Sequence, residues 1–278
     1  MAKRPIWWPL LLVLCAGPPQ PVAADQGSVV ATATSPQPER AAAAEEGGGG
    51  AAAATLFLEA EKRILAGYDR ALLKGDMSGL DGMEAALRHL AANSEQADYY
   101  RRYWLGLTLY LKSLALMRQG KRDDAKDVLA DAIETLKGIA HPDEEVYALL
   151  GLAAGLNLQF VSRQSIMLAI SEVNGYLARA LSGRETLRGL YANAVSDWNT
   201  PVEYGGRLRA EDFVRKALSL PDRAGGPLSP SWGRDFATAL LVRILLTKGK
   251  KAEALELLEQ ARKQLPDSAV LAELRISE

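Results

Sequence analysis

The chain has 278 residues, 33 Lys and Arg against 34 Asp and Glu, and a formal charge of −1. That balance offers no basic footprint for a nucleic acid or an anionic membrane surface. The lone cysteine, Cys15, excludes disulfides, thiolate metal sites and cysteine nucleophiles from everything that follows it.

Residues 1–24 read as a secretory signal. Lys3 and Arg4 supply the positive start, Ile6–Cys15 the short apolar run, and Val22-Ala23-Ala24 the small residues for cleavage after Ala24. The run is shorter than the roughly 20 apolar residues of a membrane span. Leu14 stands where a lipoprotein signal wants a small residue before its cysteine. Cleavage removes Lys3 and Arg4, taking the charge from −1 to −3, and predicts a periplasmic or secreted chain. Residues 25–53 are Ala, Gly, Pro and Ser with almost nothing large to bury, the composition of a disordered linker.

From Thr55 onward apolar residues recur at three- and four-residue steps, and no period-two alternation appears. The pattern predicts helices over 55–73, 79–92, 95–119, 121–138, 143–159, 162–182, 184–197, 206–219, 232–248, 250–264 and 268–275. Links such as "QGKRD" and "TKGKK" are short, which forces antiparallel neighbours and a succession of helical hairpins. Aligning the hairpin turns reveals a repeat. Gly120, Ala125, Leu129, Ala132 and Leu136 have the spacing of Gly249, Ala254, Leu258, Ala261 and Leu265. Gly205, Ala210, Val214, Ala217 and Pro221 repeat it with two substitutions. Glycine ends one helix in a left-handed conformation, and the alanines let the next helix approach closely.

This spacing resembles the tetratricopeptide repeat, best over 235–267 and next best over 106–137. The resemblance implies an all-α solenoid of stacked hairpins over 55–275. Hairpin 143–182 matches only by length and apolar spacing. A narrower likeness lies in Thr200-Pro201…Tyr204-Gly205-Gly206 and Pro230-Ser231-Trp232-Gly233. These are similar to turns in a group of secreted bacterial tetratricopeptide-like proteins, and imply the same architecture and export.

Two candidate sites follow. The tetratricopeptide register implies an inner groove lined by Leu107, Tyr110, Leu114, Met117 and Arg118, with Phe236, Arg243, Leu246 and Thr247 on the last unit. An aromatic, basic and Met-bearing groove suits an extended peptide or a partner helix. The second candidate is the turn Trp198, Asn199, Thr200, Pro201, Tyr204, Gly205 and Gly206 together with Trp232. Its aromatic residues would stack around a ligand, or else lock the bend between hairpins with Trp232 as a buried plug. The segment "DYYRRYW" at 98–104 reads as a core face with snorkelling arginines rather than an RNA surface.

No catalytic residue stands out. His89 and His141 are the only histidines and lack metal-ligand spacing, and "GGGG" at 47–50 follows no strand and lacks a phosphate-loop Lys. "HPDEE" at 141–145 reads as a helix start. The sequence therefore predicts a non-enzymatic scaffold or adaptor without cofactor or metal, binding a protein or peptide partner in the cell envelope. The alternative is a small-molecule-binding protein accessory to transport, using the Trp198–Tyr204 turn.

Overall fold

A computed structural model describes residues 48–276, with side chains from Thr55 onward. The signal at 1–24 and linker residues 25–47 lie outside the described residues. Eleven α-helices and two 3-10 turns make up the described chain, and no strand occurs among its residues. The helices are α1 (Gly48–Lys74), α2 (Ser78–His89), α3 (Glu95–Arg118), α4 (Arg122–Lys137), α5 (Glu144–Asn157), α6 (Ile166–Arg179), α7 (Leu187–Asn199), α8 (Ala210–Ser219), α9 (Arg234–Thr247), α10 (Lys251–Gln264) and α11 (Ala269–Ala272). The 3-10 turns are Leu158–Phe160 after α5 and Val202–Tyr204 after α7. Helix α1 begins before its expected start at 55, because the Ala run 51–54 has the strongest helix propensity available.

Local chemistry sets the boundaries. Ser94, Asp143 and Thr186 cap α3, α5 and α7 by accepting hydrogen bonds from Ala97 N, from Glu145 and Val146 N, and from Gly189 N. Gly120, Gly205 and Gly249 all adopt left-handed backbone, with φ of 79°, 80° and 74°. The small residues that follow them are buried: Ala125, Ala132, Ala210, Ala217, Ala254 and Ala261. Close approach also explains Gly106, where an added Cβ would lie 2.5 Å from Leu136 Cδ2.

Apart from α6 and α7, helices adjacent in sequence pack on one another, and α1, α3, α5, α7 and α9 contribute most of the central core. The first and last elements also meet. Tyr68 of α1 stacks on Phe236 of α9 at 5.8 Å, and α1 packs against α11. Glu61 accepts hydrogen bonds from Ser231 N and Oγ, Asp69 accepts from Ala269 N at 2.9 Å, and Arg118 pairs with Glu273. This closure covers part of the expected groove. Leu107 and Tyr110 are buried; Leu114, Met117, Phe236, Arg243 and Leu246 are half-buried; only Arg118 and Thr247 are exposed.

Asp69 gives the closure a pH dependence. Burial pushes its carboxyl up to about 6; the Ala269 N–H opposes this, while Asp235 and Asp267 reinforce it. A group whose pKa is raised by folding stabilises the fold below its unfolded value, near 4, and loses that contribution as pH rises through about 6. Asp69→Asn keeps an acceptor for Ala269 N and removes the charge. Denaturant titrations should show it about 1 kcal/mol more stable than the parent at pH 7.5, allowing for the half-exposed site, and equal at pH 3.5. A pH-independent difference would refute the assignment.

Candidate functional site

The departure from regular packing falls at α6. Helices α2, α4 and α8 each pack along the helix that follows them, but α6 barely touches α7. Links of three residues join α3 to α4 and α9 to α10, whereas residues 158–165 separate α5 from α6. The longer link, with its 3-10 turn, lets α6 lie against α5 while standing off α7. On the α5 side the approach is tight, since a Cβ on Gly151 would meet Leu177 Cδ2 at 2.7 Å. On the α7 side the two helices are pinned by Asn193, whose Nδ2 donates to Leu177 O at 3.2 Å and Gly189 O at 2.9 Å.

The gap is a cleft of about 620 Å³. Leu152, Gly155, Leu156, Met167, Ile170, Val173 and Leu177 form its apolar walls, with Ala192 and Val195 from α7 and Tyr110 from α3. Gly155 widens it, because a Cβ there would meet only Val173 Cγ1, at 3.9 Å. Large apolar side chains stand in solvent on α6 and on the turn at its mouth: Met167, Leu168, Val202, Tyr204 and Leu208, the last 71% exposed. Of these, Met167 and Tyr204 line the cleft itself.

The turn after α7 closes one end and is tightly built. Asp197, which is buried, accepts from Arg209 N at 3.0 Å and Ala210 N at 2.8 Å, capping α8 from the end of α7. Its carbonyl accepts from Arg207 N at 2.8 Å. Gly206 donates to Pro201 O at 3.1 Å, and a Cβ there would lie 2.0 Å from Thr200 O. The expected turn residues then separate. Asn199, Thr200, Pro201, Tyr204, Gly205 and Gly206 line the cleft, while Trp198 and Trp232 do not. Trp198 carries the Arg207 guanidinium over its ring at 5.0 Å. Trp232 is buried, donates from Nε1 to Tyr103 Oη at 3.0 Å and packs edge-on to Phe236. Of the expected groove residues only Tyr110 reaches the cleft.

At the opposite end of α7 from the turn lies a feature with no sequence signature. Arg188 is fully buried; its Nη2 donates to Glu145 Oε1 and to Asp222 O, both at 2.8 Å. Its Nε donates to Glu145 Oε2, and its Nη1 to Trp232 O at 2.8 Å. Burial draws the guanidinium pKa down, yet the bonds to Glu145 outweigh it and hold it above the ordinary value.

Gln159, Asn174 and Asn193, absent from both expected sites, also line the cleft. Their signal was the lost Gly–Ala–Leu series at 143–182 together with Gly151 and Gly155, each costing about 0.5–1 kcal/mol inside a helix. Among the described residues no group of three or more His, Cys, Asp or Glu is placed to hold a metal ion, and no helix is long and apolar enough to cross a membrane. No family model matches the sequence, and neither a curated protein nor a solved structure matches it.

Proposed function

We propose that the chain is an exported, non-catalytic adaptor of tetratricopeptide-like build that takes an apolar segment of a protein or peptide partner of the bacterial cell envelope into the α6–α7 cleft. The observation that carries this reading is the coincidence of an apolar cleft with solvent-exposed Met167, Leu168, Val202, Tyr204 and Leu208 on α6 and the mouth turn. Clustered exposed apolar side chains mark interaction surfaces, and Met adapts to varied partners. The interior face formed by Leu107 and Tyr110 is a weaker candidate, since both side chains are already buried.

Gly155→Leu tests the reading. The new Cβ has room, so the fold is retained while the side chain fills the cleft. Peptides with two or three apolar anchors should bind the full chain and lose about tenfold or more in affinity on this change. Equal binding to both proteins, read by fluorescence anisotropy, would sink the proposal.

A second reading, a small-molecule carrier, is favoured by one observation: 620 Å³ falls within the roughly 300–1,000 Å³ of small-ligand sites. Leu208→Glu separates the two. It lies outside the cleft lining, so it should weaken a polypeptide that crosses the rim and leave a small ligand untouched.

A further inference from the structure

The mouth of the cleft is basic. It is bounded by the α5–α6 link, 158–165, and by the turn at 199–209. Together these segments carry Arg163, Arg207 and Arg209 against a single acid, Glu203, and the first turn of α6 adds no acid. Beyond the turn Glu211 and Asp212 open α8, where Glu211 is already held by Arg215 and Lys248. Arg122, at the start of α4, joins from the link side. Its guanidinium lies 5.3 Å over the ring of Phe160, beside the lining residues Leu158 and Gln159.

These exposed cations are oriented by rings more than by acids. Arg207 lies over Trp198 at 5.0 Å and Arg209 over Phe213 at 5.4 Å. Arg209 meets one carboxylate, Asp197 at 3.7 Å, which two backbone N–H groups of the α8 cap already engage. Arg122, Arg163 and Arg207 form no ion pair among the described residues. An aromatic face orients a guanidinium without cancelling its charge. Arg207 is also the one non-glycine residue with positive φ among the described residues, at 62°. Left-handed backbone suits Gly or Asn, so a long cation held there is a local strain of the kind that collects at functional sites. Arg207, Leu208 and Arg209 are exposed in succession, which stands an apolar side chain between two positive charges.

We infer that the segment taken into the α6–α7 cleft is acidic, with carboxylates on either side of its apolar anchor pairing with Arg207 and Arg209 while Leu208 covers the anchor between them. This rests on the peptide-binding reading above and names the chemistry of the partner. A polypeptide can alternate apolar and acidic side chains at the spacing of this rim. An anionic lipid surface fits less well, because Arg122 faces Arg207 and Arg209 from across an apolar slot, Glu203 stands among them, and the chain as a whole is not basic. Exposed ion pairs contribute little each and are screened by salt, so their mark is selectivity with a salt dependence.

The test uses the full chain and two acetylated, amidated peptides, Glu-Glu-Leu-Phe-Gly-Leu-Glu-Glu and its analogue with Gln at every Glu, followed by NMR titration. Two exposed pairs should make the acidic peptide bind about fivefold more tightly in about 20 mM salt, and less than about twofold more tightly in about 500 mM. Arg207→Asn combined with Arg209→Gln should bring the low-salt ratio below about twofold. Asn suits the left-handed backbone, and amide spectra confirm that the variant is folded. Peptides that bind alike at low salt, with both lost in Gly155→Leu, would overturn the acidic assignment and leave the cleft as the binding site. A ratio that persists in the double variant or in high salt would overturn the role of Arg207 and Arg209. If both peptides fail to bind, or bind Gly155→Leu equally, both readings fall. Cosedimentation with phosphatidylglycerol vesicles that disappears in the double variant would assign the arginines to a lipid headgroup and overturn the acidic peptide.

Discussion

Arg188→Ala is expected to lose about 3–5 kcal/mol of folding stability, the range for breaking one side of a buried ion pair. Three consequences arise together. Glu145 becomes a buried carboxylate without its cation, and the carbonyls of Trp232 and Asp222 each lose a donor. A side chain with no exposed surface also leaves a void. Chemical denaturation followed by far-ultraviolet circular dichroism measures the loss. Adding Glu145→Gln should recover part of it, because the orphaned charge is the largest component. If Arg188→Ala unfolds within about 1 kcal/mol of the parent, the pair is not the clamp between α5, α7 and the 222–232 segment that its geometry indicates.

Trp232→Ala should cost a similar amount, about 3–5 kcal/mol, as is usual for truncating a buried large aromatic. Its ring is 3% exposed, packs on Phe236, and holds Tyr103 through its N–H. Trp232→Phe should lose less, since it keeps most of the packing and gives up only the Tyr103 bond. Trp198→Ala is the contrast: half-buried and covered outside by Arg207, it should cost under about 1 kcal/mol. These outcomes decide between the roles considered for the aromatic turn, because a ligand-stacking Trp232 would be removable without unfolding. Trp232 O accepts from Arg188, so the two truncations should be non-additive, the double variant losing less than the sum. Strict additivity in the cycle would mean that the two sites are uncoupled.

The regular parts of the chain were legible because they depend on local spacing. Gly120, Gly205 and Gly249 with their trailing alanines report on turns and on helix contacts within one hairpin, and all these positions behave as the spacing requires. Periodicity names an apolar face but not what covers it. Tyr110 and Leu107 have the pattern of an inner lining, yet both are buried, Tyr110 with Tyr68 and Tyr191 close by. The contacts of Glu61 with Ser231 and Asp69 with Ala269 span 170 and 200 residues, beyond any local signal. Arg188 was invisible for a related reason: an arginine on a helix reads as solvated until its acid partner, 43 residues away, is placed beside it. The turn residues Asn199–Gly206 were half legible. Gly, Pro and Thr announced a shaped loop, but the neighbour that makes it a cleft wall is α6, held off α7 by a long link.

The tie between α1 and α11 bears on how this molecule comes apart. A linear array of hairpins melts from its tips, each unit nearly independent of those beyond its neighbour. Here the two tips hold one another, through Tyr68 on Phe236 and Asp69 at the start of α11. Fraying at either side therefore forfeits contacts at both, and unfolding gains the all-or-none character of a ring opened at one link.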